Sequence, residues 1–336
     1  MSIKQRSKNI IKELYQKLDS APDNMVEDVL LETMHPDVFW RGYHPFNEQI
    51  GPKAVSDEFW RPLKRALSNL QRRMDIFIAG ENKIKGHEGI WVASMGHIMG
   101  LFDSPWLKIP PTHKIIMLRY GEFNHIRDDK IVETAMFFDI PHFMMQAGFN
   151  PFPPQTGAHL IQPGPMTHDG LMYQPASVEE STKTLNAIEF MIEDCKKWHG
   201  GRDESLVDEL RRSWNDDMIW WGPAGIGSTY TIERYAEQHS GPFRASFTNR
   251  KFNGHICRIA EGSFGGFFGW PNLTLTPTGG FMGMPASDIA ADMRVIDFFR
   301  RDGEKLSENW VFIDFLHFWK MQELDVLQRM QETRFT

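Results

Sequence analysis

The chain writes one sentence twice. "KIVETAMFFDIPHF", from Lys130 to Phe143, and "KLSENWVFIDFLHF", from Lys305 to Phe318, share Lys, Glu, Phe, Asp, His and Phe in the same six of fourteen slots. Background composition gives roughly one coincidence over that length. A second pair agrees. "DNMVEDVLLETMHPDVFW" (Asp23 to Trp40) matches "DESLVDELRRSWNDDMIW" (Asp203 to Trp220) at Asp23/Asp203, Asp28/Asp208, Leu30/Leu210, Asp37/Asp217 and Trp40/Trp220. The offsets, 180 and 175 residues, keep their order and differ only by a few loop residues. Self-similarity of this kind decides the architecture before any local reading does: the chain is a duplicated domain.

Its 336 residues are enough for two domains with separate cores. Between the copies lies "FNPFPPQTGAHLIQPGPMTHDGLMYQPASVEE", with six prolines, three glycines and no period. It reads as an extended linker whose aromatic content predicts packing along a surface. The expected boundaries are 1–150 for the first domain, 151–178 for the linker and 179–336 for the second. Ser177 and Glu180 have capping-box spacing. The helix they open places Leu185, Ile188, Met191, Ile192, Cys195 and Trp198 on one face and stops at Gly200-Gly201. Each copy repeats one order. Two helices come first (about 6–19 and 25–34; about 179–199 and 204–214) by periodicity. A strand ending at Trp40 or Trp220 and a third helix after Gly51 or Gly227 follow. Alternating strand patterns complete the copy, with "RDDK" and "RDGEK" as hairpin turns. Helices first and strands later predict an α+β domain with helices on one face of a mostly antiparallel sheet.

The net charge of −7 argues against a nucleic-acid partner, which requires a concentrated basic surface. The basic N-terminus lacks an unbroken apolar stretch and reads as an amphipathic helix, and no run is long enough to span a bilayer, so no membrane partner is expected. Two cysteines in no paired motif, Cys195 and Cys257, fit a reducing cytoplasm. The 25 Phe and 11 Trp make either large cores or roomy apolar pockets.

The turn "RDGEK" with the strand "ENWVFID" and a short closing helix resembles the end of SnoaL-like domains, members of the nuclear-transport-factor-two-like superfamily related to ketosteroid isomerases. "DDKIVETAMFFDIPHFMMQAG" resembles the same ending, and "HPFNEQIG" before a Trp-containing helix resembles the family's early part. The resemblance covers nearly all of both copies. It implies two tandem cone-shaped domains of the cystatin-like α+β barrel kind, each a strongly bent sheet wrapped by N-terminal helices around a deep pocket. It also implies a cofactor-independent cyclase or isomerase working by acid–base chemistry on an apolar, polyketide-like or ring-containing carbonyl compound. A non-catalytic small-molecule binder and a hydrolase of the same fold are the alternatives, since fold does not decide function. Single-domain relatives usually oligomerise, so either a monomer with an internal pseudo-dimer or a homodimer is expected.

In the family an Asp at the slot of Asp139 is the acid/base, and His125, fourteen residues earlier, resembles its catalytic neighbour. The residues alone offer a second reading: Asp139 precedes Ile140-Pro141-His142 and suits the N-cap of the last helix. In the second copy the slot before Asp314 is Arg300, which cannot shuttle a proton. Asp314 is then expected to be ion-paired with a low pKa, and the competent pocket to lie in the first copy. His44, His97 and Arg119 are further polar candidates. Arg119 and His125 have the same strand parity and hence the same face. Trp40, Trp60, Trp220, Trp270 and Trp310 are either pocket walls or core. Glu133 and Glu308 recur six residues before each Asp and are either structural partners of a cation or catalytic. "GSFGGFFGW" has no phosphate-cradling signature and reads as small residues at a bent strand. No clustered ligand set predicts a metal.

Overall fold

The computed structural model describes residues 1–196 and 205–332; the expected Gly200-Gly201 stop, Trp198 and Asp203 lie outside them. The first half runs α1 (Ile3–Ser20), α2 (Val26–Thr33), β1 (Met34–Gly42) and β2 (Asn47–Ile50). It continues through α3 (Pro52–Val55), a π-helical turn (Ser56–Trp60), α4 (Arg61–Ala66), β3 (Leu67–Asn82), β4 (Gly89–Phe102), β5 (Ile115–Arg127), β6 (Lys130–Phe138) and α5 (Ile140–Gln146). The second half repeats this with α6 (Val178–Lys196), α7 (Leu206–Arg211), β7 (Trp214–Trp221), β8 (Ser228–Tyr230), α8 (Ile232–Tyr235), a second π turn (Ala236–Ser240) and α9 (Gly241–Ala245). Then come β9 (Phe247–Phe252), β10 (Cys257–Glu261), β11 (Phe264–Pro277), β12 (Ala291–Asp302), β13 (Lys305–Ile313), α10 (Phe315–Met321) and α11 (Val326–Glu332).

The first sheet has the order β2-β1-β6-β5-β4-β3, the second β10-β11-β12-β13-β7-β8 with β9 paired to β11. Only β1–β6 and β13–β7 are parallel. In each half the chain leaves the first long strand, folds helices over the sheet and returns through an antiparallel meander. Both sheets are open: β2 and β3 end the first without meeting, so neither half closes into a barrel. The structure is α+β, with helices on one face of each sheet. On α1, Ile11, Leu14, Tyr15 and Leu18 are buried, the spacing of an amphipathic helix, and Ser2 caps it by accepting from Gln5 N–H. Ser177 Oγ accepts from Glu180 N–H at 3.4 Å at the start of α6.

The sheets pack against each other through their helix-free faces. Phe123 meets Phe298, its own repeat equivalent 175 residues on, at a ring separation of 5.2 Å. A residue pairing with its own copy marks an approximate two-fold axis between the halves. Glycines allow this approach: a Cβ at Gly266 would stand 2.5 Å from the Asp297 carbonyl oxygen and 3.1 Å from Phe123. The Lys8–Glu261 ion pair, 2.8 Å and buried, also joins the halves. The proline-rich stretch runs along both. Ala158 bridges to Ser228, Leu171 bridges to Phe77, and Pro163 O accepts from Trp310 Nε1 at 3.0 Å. Among the described residues no helix is long and apolar enough to cross a membrane.

Candidate functional site

Each central strand has two buried faces. On β5, Tyr120, Glu122 and Asn124 point under the helices of their own half, while Arg119, Gly121, Phe123 and His125 point at the other half. The parity argument for Arg119 and His125 therefore describes the face between the halves.

Asp139 and Asp314 sit on this boundary and act alike. Asp139 Oδ1 accepts from His142 N–H at 3.1 Å, capping α5, and Oδ2 accepts from Ala224 N–H of the second half at 3.0 Å. Asp314 Oδ1 accepts from His317 N–H at 3.1 Å, capping α10, and Oδ2 accepts from His44 N–H of the first half at 2.9 Å. Ala224 is the repeat equivalent of His44, 180 residues on. Each acid therefore closes its own helix and clasps the opposite half. Arg119 lies 3.8 Å from Asp139, and Arg294, its equivalent, 3.6 Å from Asp314. Arg119 also donates to the carbonyls of Val311 and Trp221, both at 3.0 Å. Asp314 departs from the expected low pKa: burial pushes it up to about 6, against the opposing pull of Arg294. Its cation is Arg294, not Arg300.

The expected His125–Asp139 pair is not assembled. Asp139 N–H bonds Arg119 O, whereas His125 lies opposite Glu133, six residues along β5, or about 20 Å at ~3.3 Å per residue. His125 is buried, stacked on Trp91 at 4.7 Å, with Nδ1 3.2 Å from Glu133 Oε1. Arg300, its counterpart, donates Nε–H to Glu308 at 2.5 Å. Glu133 also receives Arg41 Nη1 at 3.0 Å, so both recurring glutamates hold cations. His97 is buried opposite Arg119, with Nδ1 3.6 Å from Asp75. His44 is buried 6.5 Å from the His317 ring, and Trp310 is buried against the linker. Trp40 and Trp60 are core, both packed on Phe59. Trp270 covers Arg294, 3.8 Å from its ring centre.

Open space lies instead under the helices of the second half, a cavity of about 210 Å³. Trp220 lines it, with Trp214, Tyr235, Phe243 and Phe299. Among the described residues one carboxyl faces it, Asp297 on β12. Asn309 Nδ2 donates to Asp297 Oδ1 at 3.0 Å and also to Phe298 O at 3.0 Å. Burial pushes the Asp297 carboxyl up to about 7, against this hydrogen bond and the charge of Arg119. His239, on the π turn, stacks on Trp220 at 4.0 Å and 16°. Burial lowers it to about 3, so its ring is neutral.

The matched positions of the first half explain the cavity. Glu122, equivalent to Asp297, accepts from Tyr15 Oη at 2.5 Å and lies 3.8 Å from Arg72. The Arg72 guanidinium stacks 3.9 Å from Tyr15, 5.1 Å from Tyr120 and 5.4 Å from Trp60. In the second half Val295 replaces Tyr120, Ser240 replaces Trp60 and His239 replaces Phe59. Large groups become small ones, and the acid loses its arginine and tyrosine. Sequence reasoning missed Asp297, Asn309 and His239. The signals were there: an acid inside an apolar strand in both copies, and a histidine where the other copy has phenylalanine.

No family model and no curated protein matches the sequence. Solved structures do. A protein described as a SnoaL-like polyketide cyclase from Jannaschia sp. CCS1 is 18% identical, covering 46% of this chain and 97% of its own, with a TM-score of 0.35. IdmH from Streptomyces antibioticus, described as a polyketide cyclase, is 14% identical over 43% of this chain and 99% of its own (TM-score 0.35). An NTF2-like protein from Burkholderia xenovorans LB400 is 15% identical over 43% and 96% (TM-score 0.31). Each match spans a length equal to about half of this chain, and at these identities it concerns fold, not chemistry: the chain is similar in fold to SnoaL-like and NTF2-like proteins.

Proposed function

We propose that the second-half cavity binds a small apolar carbonyl compound and that Asp297 moves a proton on it, in a cofactor-independent cyclase or isomerase reaction. The observation that carries this reading is a buried carboxyl, held at about 7 by burial, facing an aromatic cavity. Such a group exchanges its proton near neutral pH, as a general acid–base catalyst must. As carboxylate it removes a proton next to the carbonyl. As acid it returns that proton, to another carbon in an isomerisation or to the alkoxide in an aldol closure. The size limits the substrate: a cavity of about 150 Å³ holds benzene, so about 210 Å³ suits one or two rings. We further propose the first half, residues 1–150, as the supporting domain and 179–336 as the working one.

The test is turnover and binding of one- and two-ring ketones, with 1-tetralone as the starting probe. Asp297→Asn keeps the shape and removes the proton carrier. A loss of about 10²-fold or more in turnover with retained binding supports catalysis. Binding with no turnover by the unaltered protein supports a non-catalytic carrier.

A further inference from the structure

Asp297 and Asn309 supply one polar end of the cavity. A second polar position lies on a different element and has no partner among the described residues. His239 is 8% exposed, lines the cavity, and its Nδ1 is buried without a hydrogen-bond partner among the described residues. An unsatisfied buried nitrogen is destabilising, so its presence calls for a reason. Packing does not provide one. Phe59 occupies the same position in the first half and stacks on Trp40 with no polar atom at all. The local backbone is special in both halves: the π turns Ser56–Trp60 and Ala236–Ser240 interrupt the helix at this place, and such single turns are frequent at functional sites.

We propose that His239 orients the ligand by hydrogen-bonding a hydroxyl group, so that the cavity selects a hydroxylated ring ketone over the plain ketone. A hydroxyl matches the site because it donates and accepts, and so serves either tautomer of a neutral imidazole. The ring stays uncharged because burial holds it to about 3. Stacking on Trp220 fixes the plane of the ring, so the ligand bears little of the ordering cost. This inference rests on the cavity being the binding site and adds the chemical class of what enters it.

The experiment is calorimetric binding of 1-tetralone and of its 5-, 6- and 7-hydroxy isomers to the full chain, to His239→Phe and to His239→Gln. Phenylalanine is the residue the first half already carries there, and glutamine keeps an amide able to donate and accept. At least one hydroxy isomer is expected to bind the unaltered protein about tenfold more tightly than 1-tetralone. His239→Phe loses that gain, measured as the ratio of hydroxy-isomer to 1-tetralone affinity within the same variant, and His239→Gln keeps part of it. If 1-tetralone binds and no hydroxy isomer gains, or if the gain survives His239→Phe, the role of His239 is overturned and the cavity reading stands. If neither 1-tetralone nor any hydroxy isomer binds, the cavity reading falls and takes this inference with it.

Discussion

The two halves have the same strand order and the same clasp, yet one is filled and the other hollow. In the first, Glu122 is locked by Tyr15 and sits beside Arg72, and three aromatic rings close around the guanidinium. In the second, Asp297 accepts from Asn309, feels the charge of Arg119 and faces open space. The acid was already in the fold; what differs is the volume and charge around it. A duplicated domain can thus diverge in its interior: one copy is packed and the other keeps a cavity, while the paired acids Asp139 and Asp314 hold them together.

Exchanging residues across the repeat tests this contrast. The largest effect is expected at Trp60. Trp60→Ser, which writes the second half's residue into the first, hollows a packed core and costs about 3–5 kcal/mol by urea denaturation. Ser240→Ala at the matched position costs under about 1 kcal/mol. Ser240→Trp fills the cavity and abolishes 1-tetralone binding. Equal costs at both positions would break the comparison.

Asp139→Ala and Asp314→Ala remove a helix cap and leave a buried N–H of the opposite half unpaired. Each costs about 2–4 kcal/mol, measured by the same denaturation, and the near-equality of the two is itself predicted by the shared geometry.

Asp297 should give the stability curve a definite sign. It is protonated when folded and ionised when unfolded between about 3.8 and about 7, so the folded state binds more protons there and stability falls as pH rises. Asp297→Asn removes that slope. The variant is expected to gain on the unaltered protein from pH 4 to 7, by about 3–4 kcal/mol in all, and to run parallel above pH 8. His239, lowered by burial to about 3, contributes the opposite trend, losing stability as pH falls below about 6.5. It is common to both proteins and cancels in the difference. The smallest effect is expected for His125→Gln, which acts at the boundary between the halves and should leave 1-tetralone affinity within about twofold.

Much of this was legible in the chain. The repeat gave two halves, the helix-first pattern gave α+β, and the residues after Asp139 offered capping as one of two readings. The parity of Arg119 and His125 was also readable, but its meaning was not. Both faces of β5 are buried, one under its own helices and one against the other half, and alternation cannot tell two buried faces apart. The cavity was harder still. It exists because Trp60, Tyr120 and Phe59 became Ser240, Val295 and His239, and those differences acquire meaning only once the facing residues are known. Asp314 shows a further limit: an acid near arginines is expected to have a low pKa, but complete burial outweighs Arg294 and raises it.

The most direct test of the division of labour is carboxyl-carbon NMR of Asp-labelled protein, assigned with Asp297→Asn and Asp139→Asn and titrated with 1-tetralone. The Asp297 resonance is predicted to titrate near 7 and to move on adding 1-tetralone, while that of Asp139 stays still. An Asp139 resonance that follows 1-tetralone, with Asp297 indifferent to it, would contradict the account and return the site to the boundary between the halves.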